Sequence, residues 1–125
     1  MTTKTYSGIG LTETKIYQCP TDKKAVVSMV TVCNITESLL TFHIGYYNAT
    51  DNNTVYFIKN GVLDAGQRHI AISSSGTLSM SANDYITVLS TTDSSIDAIV
   101  TYEESDVWWF HIGKIILDII GKFLV

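Results

Sequence analysis

The residues of this sequence best suited to chemistry are the histidines His43, His69 and His111 and the adjacent carboxylates Glu103 and Glu104. A zinc or hydrolytic site needs such groups at short, fixed spacings, as in H-E-x-x-H or C-x-x-C, and neither spacing occurs here. No serine lies in a G-x-S-x-G nucleophile motif. Adjacent strand residues point to opposite faces, so Glu103 and Glu104 do not form a catalytic pair. We therefore expect no enzymatic activity, no cofactor and no metal.

The composition excludes several other classes of protein. Apolar residues make up 46% of the 125 residues and charged residues 16%, which is enough for a core and too few charges for a disordered chain. The net charge is −4 and Arg68 is the only arginine, so we expect no nucleic-acid partner. The first ten residues lack the apolar segment of a secretory signal. Cys19 and Cys33 are therefore expected to be buried thiols in a reducing cytoplasm rather than a disulfide.

The middle of the chain has the pattern of an antiparallel β-domain. Seven or eight short strands follow one another at roughly ten-residue spacing, with turn sequences between them. No segment before residue 105 shows helical periodicity over three turns. The pattern predicts a two-sheet antiparallel β-sandwich over residues 12–104, of immunoglobulin-like or jelly-roll-like type. Residues 1–11 are interpreted as an N-terminal arm.

Individual strands lead to more specific predictions. Apolar residues occupy both alternations of residues 24–34, which predicts a central strand covered on both faces. The Asn60-Gly61 pair predicts a turn, and Ile70 and Ile72 are predicted to point into the core. Leu40, Phe42, Ile44 and Tyr46 are predicted to form an inner set, and residues 77–80 offer Leu78 and Met80. On the last strand, the residues predicted to share one face are Ile96, Ala98, Val100 and Tyr102.

The last twenty residues, "DVWWFHIGKIILDIIGKFLV", differ from everything before them. At 100° per residue the polar residues of this segment fall in one arc of about 80°, and they are His111, Lys114, Asp118 and Lys122. Large apolar side chains occupy the remaining arc. This pattern predicts a C-terminal amphipathic helix over residues 105–125, with Ser105 or Asp106 as its N-terminal cap.

The wide apolar face of this predicted helix must be covered. Each central charge costs roughly 2.5–3.5 kcal/mol of insertion energy and each good apolar residue returns about 0.3–0.6 kcal/mol, which disfavours an isolated transmembrane span. Its own sandwich, another protein including a second copy, or a lipid interface remain as covers. We favour docking to protein, because a wide apolar face fits a bundle or a groove. The predicted interface residues are Trp108, Trp109, Phe110, Ile112, Ile115, Ile116, Ile119, Ile120 and Phe123.

Four tyrosines indicate a second kind of binding surface. Tyr46, Tyr47, Tyr56 and Tyr85 lie in predicted strands, and aromatic rings on one sheet face stack on the apolar faces of sugars. Tyrosine is also a common strand residue that packs against its neighbours. We favour packing, and we keep glycan binding as an alternative.

Three short motifs in the strand region resemble those of a known protein family. A strand ends in Thr31, Val32, Cys33 and Asn34, a turn holds Leu63, Ala65 and Gly66, and a later strand begins with Leu78, Asp84, Ile86 and Val88. With these motifs, residues 12–104 resemble the small single-domain β-sandwich virion proteins of tailed bacteriophages. The glycine that usually precedes the aspartate is Asn83 here, and asparagine also tolerates the left-handed conformation. The C-terminal segment lies outside the resemblance.

This resemblance implies a non-enzymatic structural and assembly protein of the virion, made in the host cytoplasm. Such a protein is a tail, baseplate, neck or capsid-surface component. The implied partners are other copies of the chain, in a symmetric homo-oligomer, and other virion proteins. The alternative is a membrane-interface or host-surface module that binds a receptor or a glycan, in which the C-terminal helix lies in lipid. Membrane contact is the interpretation that we do not favour.

Overall fold

A computed structural model describes residues 1–73 and 76–107 of the chain. All regular structure in these residues is β. The strands are β1 (Thr2–Ile9), β2 (Thr14–Gln18), β3 (Lys23–Asn34), β4 (Leu40–Asn48), β5 (Asn53–Leu63), β6 (Arg68–Ile72), β7 (Leu78–Met80), β8 (Tyr85–Ser90) and β9 (Ile96–Asp106).

The strands form two antiparallel sheets that face each other. The first sheet has the order β1-β9-β3-β6, and β7 also pairs with β3. The second has the order β2-β8-β4-β5. The prediction of an all-β, two-sheet antiparallel sandwich is therefore confirmed.

The hydrophobic core lies between the inner faces of the two sheets. The predicted inward sets of β4 and β9 are confirmed, since Leu40, Phe42 and Ile44 are buried on one strand and Ile96 to Tyr102 alternate inwards on the other. The largest apolar side chains that are fully buried are Ile16, Val27, Val30, Val32, Phe42, Ile44, Met80, Ile86, Val88, Ile96 and Val100. The two sheets supply all of these side chains from their own strands.

Strand β3 is central in its sheet, as predicted, but it is not covered on both faces. Its pairing with β9 shifts register between Val27 and Met29, so Ser28 is an extra residue. A bulge of this kind inverts the alternation of the side chains that follow it. Val27 before the bulge and Val30 after it both point into the core, whereas Val26 is 42% exposed. The apolar residues on both alternations therefore belong to a single inward face, and the alternation that points inwards changes at the bulge.

The predicted turn at Asn60-Gly61 is wrong. Strand β5 continues through these residues to Leu63, and its pairing with β4 shifts register between Phe42 and Ile44. Asn60 adopts a φ of 57°, which asparagine tolerates better than most residues. Its backbone N–H donates a 3.0 Å hydrogen bond to Nδ1 of His43. The pair thus forms a bulge within the strand.

The inward orientation predicted for Ile70 is also wrong. Ile72 is buried, but Ile70 is 46% exposed. Val30 pairs with Ile72 and the next residue of β3, Thr31, pairs with Ile70, so Ala71 is the extra residue of a bulge. Because of this extra residue, Ile70 and Ile72 point to opposite faces of the sheet although they are two residues apart in the sequence.

Both ends of the described chain belong to the first sheet. Residues 2–9, within the segment interpreted as an N-terminal arm, form β1 and pair with β9. Ser105 and Asp106 are the last residues of β9 rather than a helix cap. Nζ of Lys23 lies 2.8 Å from Oδ1 of Asp106, and the N–H of Val107 donates to the carbonyl of Asp22 at 3.3 Å. The predicted helix beyond these residues lies outside the described residues.

Candidate docking site

The predicted interface residues lie outside the described residues. These are Trp108, Trp109, Phe110, Ile112, Ile115, Ile116, Ile119, Ile120 and Phe123. The structure describes the surface of the sandwich, and on one part of this surface apolar side chains surround a hollow.

An apolar groove lies along one open side of the sandwich. There β5 is the edge strand of the second sheet, and β6 and β7 lie at the edge of the first. We call it the Phe57 groove, and its apolar lining residues are Tyr46, Val55, Phe57, Ala71, Ile72 and Leu78. Phe57 divides it into hollows of about 400 Å³ and about 310 Å³. Val55 is 52% exposed and Phe57 is 39% exposed, so water contacts large apolar side chains here.

The bulge in β5 explains the position of Phe57. Ile44 pairs with Ile58 and the next residue of β4, Gly45, pairs with Tyr56, so Phe57 has no direct partner on β4. Ile58 packs against the core on the inner side. The ring of Phe57 contacts that of Tyr46 edge to face, with centroids 6.5 Å apart and an interplanar angle of 81°. The bulge thus adds an aromatic side chain at the open side of the sandwich.

A buried carboxylate fixes Tyr46, one of the residues that line the groove. The hydroxyl of Tyr46 donates a short hydrogen bond to Oδ2 of Asp84, and Asp84 is 2% exposed. The same carboxylate accepts hydrogen bonds from the backbone N–H of Ala49 at 2.8 Å and of Ser81 at 2.9 Å. Burial, and then the bond to Asp84, raise the pKa of Tyr46 above its ordinary range. Tyr46 therefore stays neutral and firmly oriented at physiological pH.

Of the four tyrosines of the glycan-binding alternative, Tyr47, Tyr56 and Tyr85 lie on the outer face of the second sheet, and Tyr46 lies on the other face. Tyr46 points towards the groove, while Tyr47 and Tyr85 stack on each other with centroids 4.5 Å apart. Nζ of Lys15 lies 4.2 Å from the ring centroid of Tyr85. Tyr56 lies at the rim of the groove with Nζ of Lys59 4.9 Å from its ring centroid. These are packing contacts, and glycan binding stays an alternative prediction.

The described histidines and cysteines make structural contacts. Nδ1 of His43 accepts the N–H of Asn60, and the ring of His69 packs edge to face on Phe42 at 5.5 Å. Both cysteines are free, with Cys19 buried and Cys33 half-buried. Burial raises the pKa of Cys19, which keeps it protonated and unreactive. Within residues 1–73 and 76–107, no cluster of three or more His, Cys, Asp or Glu residues fits a metal ion.

The sequence contains a signal for the groove. Val55, Tyr56, Phe57 and Ile58 are four consecutive apolar residues. A strand with one buried face alternates, so an unbroken apolar run indicates either a strand buried on both faces or a bulge. Because β5 is an edge strand, the surplus apolar residues remain at the surface.

No protein-family model, curated protein or solved structure matches this chain. In the part of the chain that the structure describes, no helix is long and apolar enough to span a membrane.

Proposed function

We propose that this chain is a non-enzymatic structural protein of a tailed-phage particle. Its β-sandwich is a rigid scaffold, and residues 108–125 form an amphipathic helix that attaches the scaffold to neighbouring subunits. The motifs at Asn34, Gly66 and Asp84, which resemble those of small virion sandwiches, support the particle assignment. The apolar C-terminal sequence supports the attachment.

The observation that carries the attachment is that the two sheets fill their own core. Ile16, Val30, Ile44 and Val88 have no exposed surface, and the other described residues of the core come from the same nine strands, except Cys19. Residues 108–125 contain twelve large apolar side chains, counting Val125, in addition to those of the described core. Burial of each is worth on the order of 1.5–3 kcal/mol, which makes association with another surface strongly favourable.

The buried polar groups of the sandwich are consistent with a scaffold. The amide nitrogen of Asn34, a fully buried residue, lies 2.8–3.1 Å from the carbonyl oxygens of Ser38, Leu63 and Asp64. Its side-chain oxygen accepts the N–H of Thr36 at 2.9 Å. Ser90 and Ser95 bond to each other at 2.6 Å. These hydrogen bonds connect loops to strands, which makes the domain rigid.

Truncation after Val107 tests the attachment. This cut keeps Asp106 paired with Lys23, so we expect the truncated chain to keep its β circular-dichroism spectrum and its unfolding midpoint. In analytical ultracentrifugation we expect oligomers of the full-length chain and monomers of the truncated chain. Oligomers of equal size for both chains would rule out attachment through residues 108–125.

Two further measurements separate the particle assignment from the lipid alternative. Mass spectrometry of purified phage particles from the source lysate should detect the chain at a copy number that is a multiple of the particle symmetry. Co-sedimentation with phosphatidylcholine and phosphatidylglycerol vesicles should leave the full-length chain in the supernatant. A full-length monomer that pellets with vesicles, with a truncated chain that does not, would favour a membrane-interface module instead.

A further inference from the structure

We infer that the Phe57 groove receives the aromatic cluster Trp108-Trp109-Phe110 of a second copy of this chain. The inference rests on the proposed function and deepens it, because it names the partner and both contacting surfaces. It follows from the chemistry of the groove and from the distance between the groove and the point where β9 ends.

The groove has the chemistry of a site for aromatic side chains. The larger hollow is almost entirely apolar and is lined by Tyr46, Val55, Tyr56, Phe57 and Leu78. The smaller hollow shares Phe57 and Leu78 and also has Ser73, Gly76 and Thr77 in its lining. Tyr46 is held in place by Asp84, so one wall exists before anything binds. Pockets that are already formed and apolar bind Trp and Phe side chains with the largest free energies at protein interfaces. The sequence Trp108-Trp109-Phe110 is the only run of three aromatic residues in the chain.

The edge of β5 does not favour an extended strand as the occupant. Two register shifts interrupt its pairing with β4, one at Phe57 and one at Asn60. Bulges twist an edge strand away from a flat geometry and protect it from strand addition. Side chains that enter the hollows are therefore a better fit than a tenth strand.

The pairing of the strands disfavours insertion of the cluster into its own groove. Leu78 in the groove pairs with Val27 of β3, which pairs with Tyr102 of β9. Val107 is five residues beyond Tyr102, which places it about 16 Å further along the sheet and about 10 Å across it from Leu78. The three residues that follow Val107 span at most about 11 Å. The direct path also runs across β3, so the cluster meets a groove of a neighbouring copy instead.

The arrangement has a consequence for symmetry. The donated cluster and the accepting groove are different surfaces of one chain, so each copy both gives and receives. Such an interface produces either a reciprocal dimer or a head-to-tail ring. Because the cluster begins one residue after Val107, whose N–H is bonded to Asp22, the two sandwiches are held close together.

Matched substitutions on β5 test the groove in the full-length chain. Val55→Glu places a carboxylate in the groove, whereas Val62→Glu places one on the outer face of the same strand. Val55 pairs with Tyr46 and Val62 with Thr41, and both valines are exposed, at 52% and 60%. We expect V55E to raise the dissociation constant of the oligomer about thirtyfold or more, as for an interface hot spot. V62E should leave it within about threefold, and both variants should unfold like the wild type.

A mixing experiment tests whether the contact is between copies. V55E has a blocked groove and an intact cluster, while the triple variant W108S/W109S/F110S has an intact groove and no cluster. Each variant alone should be monomeric, and an equimolar mixture should form a two-chain complex. A mixture that stays monomeric, or a wild-type chain that is itself monomeric, would overturn the inference.

The results also separate this inference from the proposed function. If truncation after Val107 abolishes assembly and V55E assembles like the wild type, the C-terminal segment docks elsewhere and only the groove assignment is wrong. If the truncated chain assembles like the full-length chain, the proposed attachment is wrong as well.

Discussion

Tyr17 and Glu104 connect the two sheets of the sandwich. The hydroxyl of Tyr17 on β2 donates a 2.7 Å hydrogen bond to Oε2 of Glu104 on β9. The ring of Tyr17 also packs on Tyr102, with centroids 4.1 Å apart. β2 and β9 belong to different sheets, so this contact fixes the distance between the sheets near the point where the chain leaves β9.

Tyr17→Phe should reduce the free energy of unfolding at pH 7 by about 1 kcal/mol. Hydrogen bonds to charged groups contribute about 1.5–3 kcal/mol, and the exposure of Glu104 reduces this value. The ring contact with Tyr102 is kept. Urea unfolding measures the change. Tyr6→Phe is the control, because the hydroxyl of Tyr6 has no hydrogen bond among the described residues, and this variant should match the wild type.

The hydroxyl of Tyr17 should make the free energy of unfolding depend on pH in the alkaline range. Burial, and then the hydrogen bond to Glu104, raise the pKa of Tyr17 above its ordinary value near 10. The folded protein therefore holds a proton that the unfolded chain releases. The stabilisation is complete below pH 10 and is lost as the pH rises above it. In urea unfolding from pH 8 to 11.5, Tyr17→Phe and Tyr46→Phe should each lose less free energy of unfolding with rising pH than the wild type. An equal dependence of this free energy on pH would contradict the raised pKa of the tyrosine.

The sequence predicts the inward faces where strands pair without interruption. On β9, Ile96, Ala98, Val100 and Tyr102 are all buried, because a regular strand alternates with a period of two. The residue types in the turns are equally informative about the local backbone conformation. Gly66 and Asn83 lie in turn sequences and both adopt left-handed conformations, with φ of 70° and 69°, as the interpretation of Asn83 allowed.

Three of the errors share one physical cause, which is a single extra residue in a strand. Ser28, Asn60 and Ala71 each lie where a register is interrupted. A bulge is a relation between two strands, so the sequence of one strand contains only its consequence, a change in phase. The apolar run Val55 to Ile58 indicates surplus apolar residues, but it does not give the position of the groove, which depends on which strands lie at the edges of the two sheets.

Asp84→Ala should destabilise the sandwich by about 3 kcal/mol. The substitution leaves the hydroxyl of Tyr46 and the N–H groups of Ala49 and Ser81 without their acceptor, and each buried unpaired donor costs about 1–3 kcal/mol. Asp84→Asn keeps one acceptor oxygen and should cost less. Thermal and urea unfolding measure both. Asp64→Ala, at an exposed carboxylate, is the control and should be close to neutral.

The bulge at Asn60 can be tested through its backbone conformation. Asn60 is exposed and has a φ of 57°, so a substitution there changes conformational strain more than packing. Asn60→Val should cost about 2 kcal/mol or more, because a left-handed conformation costs about 1–2 kcal/mol for ordinary residues and more for a β-branched one. Asn60→Gly should stay within about 0.5 kcal/mol of the wild type, since glycine adopts this conformation freely.

Asn53→Val is the matched control for this prediction. Asn53 begins the same strand, is exposed, and has no left-handed φ, so valine there should be neutral or slightly stabilising. The difference between the two valine variants in urea unfolding isolates the cost of the left-handed conformation. Equal stabilities for Asn60→Val and Asn53→Val would mean that β5 runs past His43 without a bulge. Without this bulge, the pairing of the residues before Asn60 with β4 would shift by one residue. Val55 and Phe57 precede Asn60 on the same strand, so their orientation towards the groove would also change.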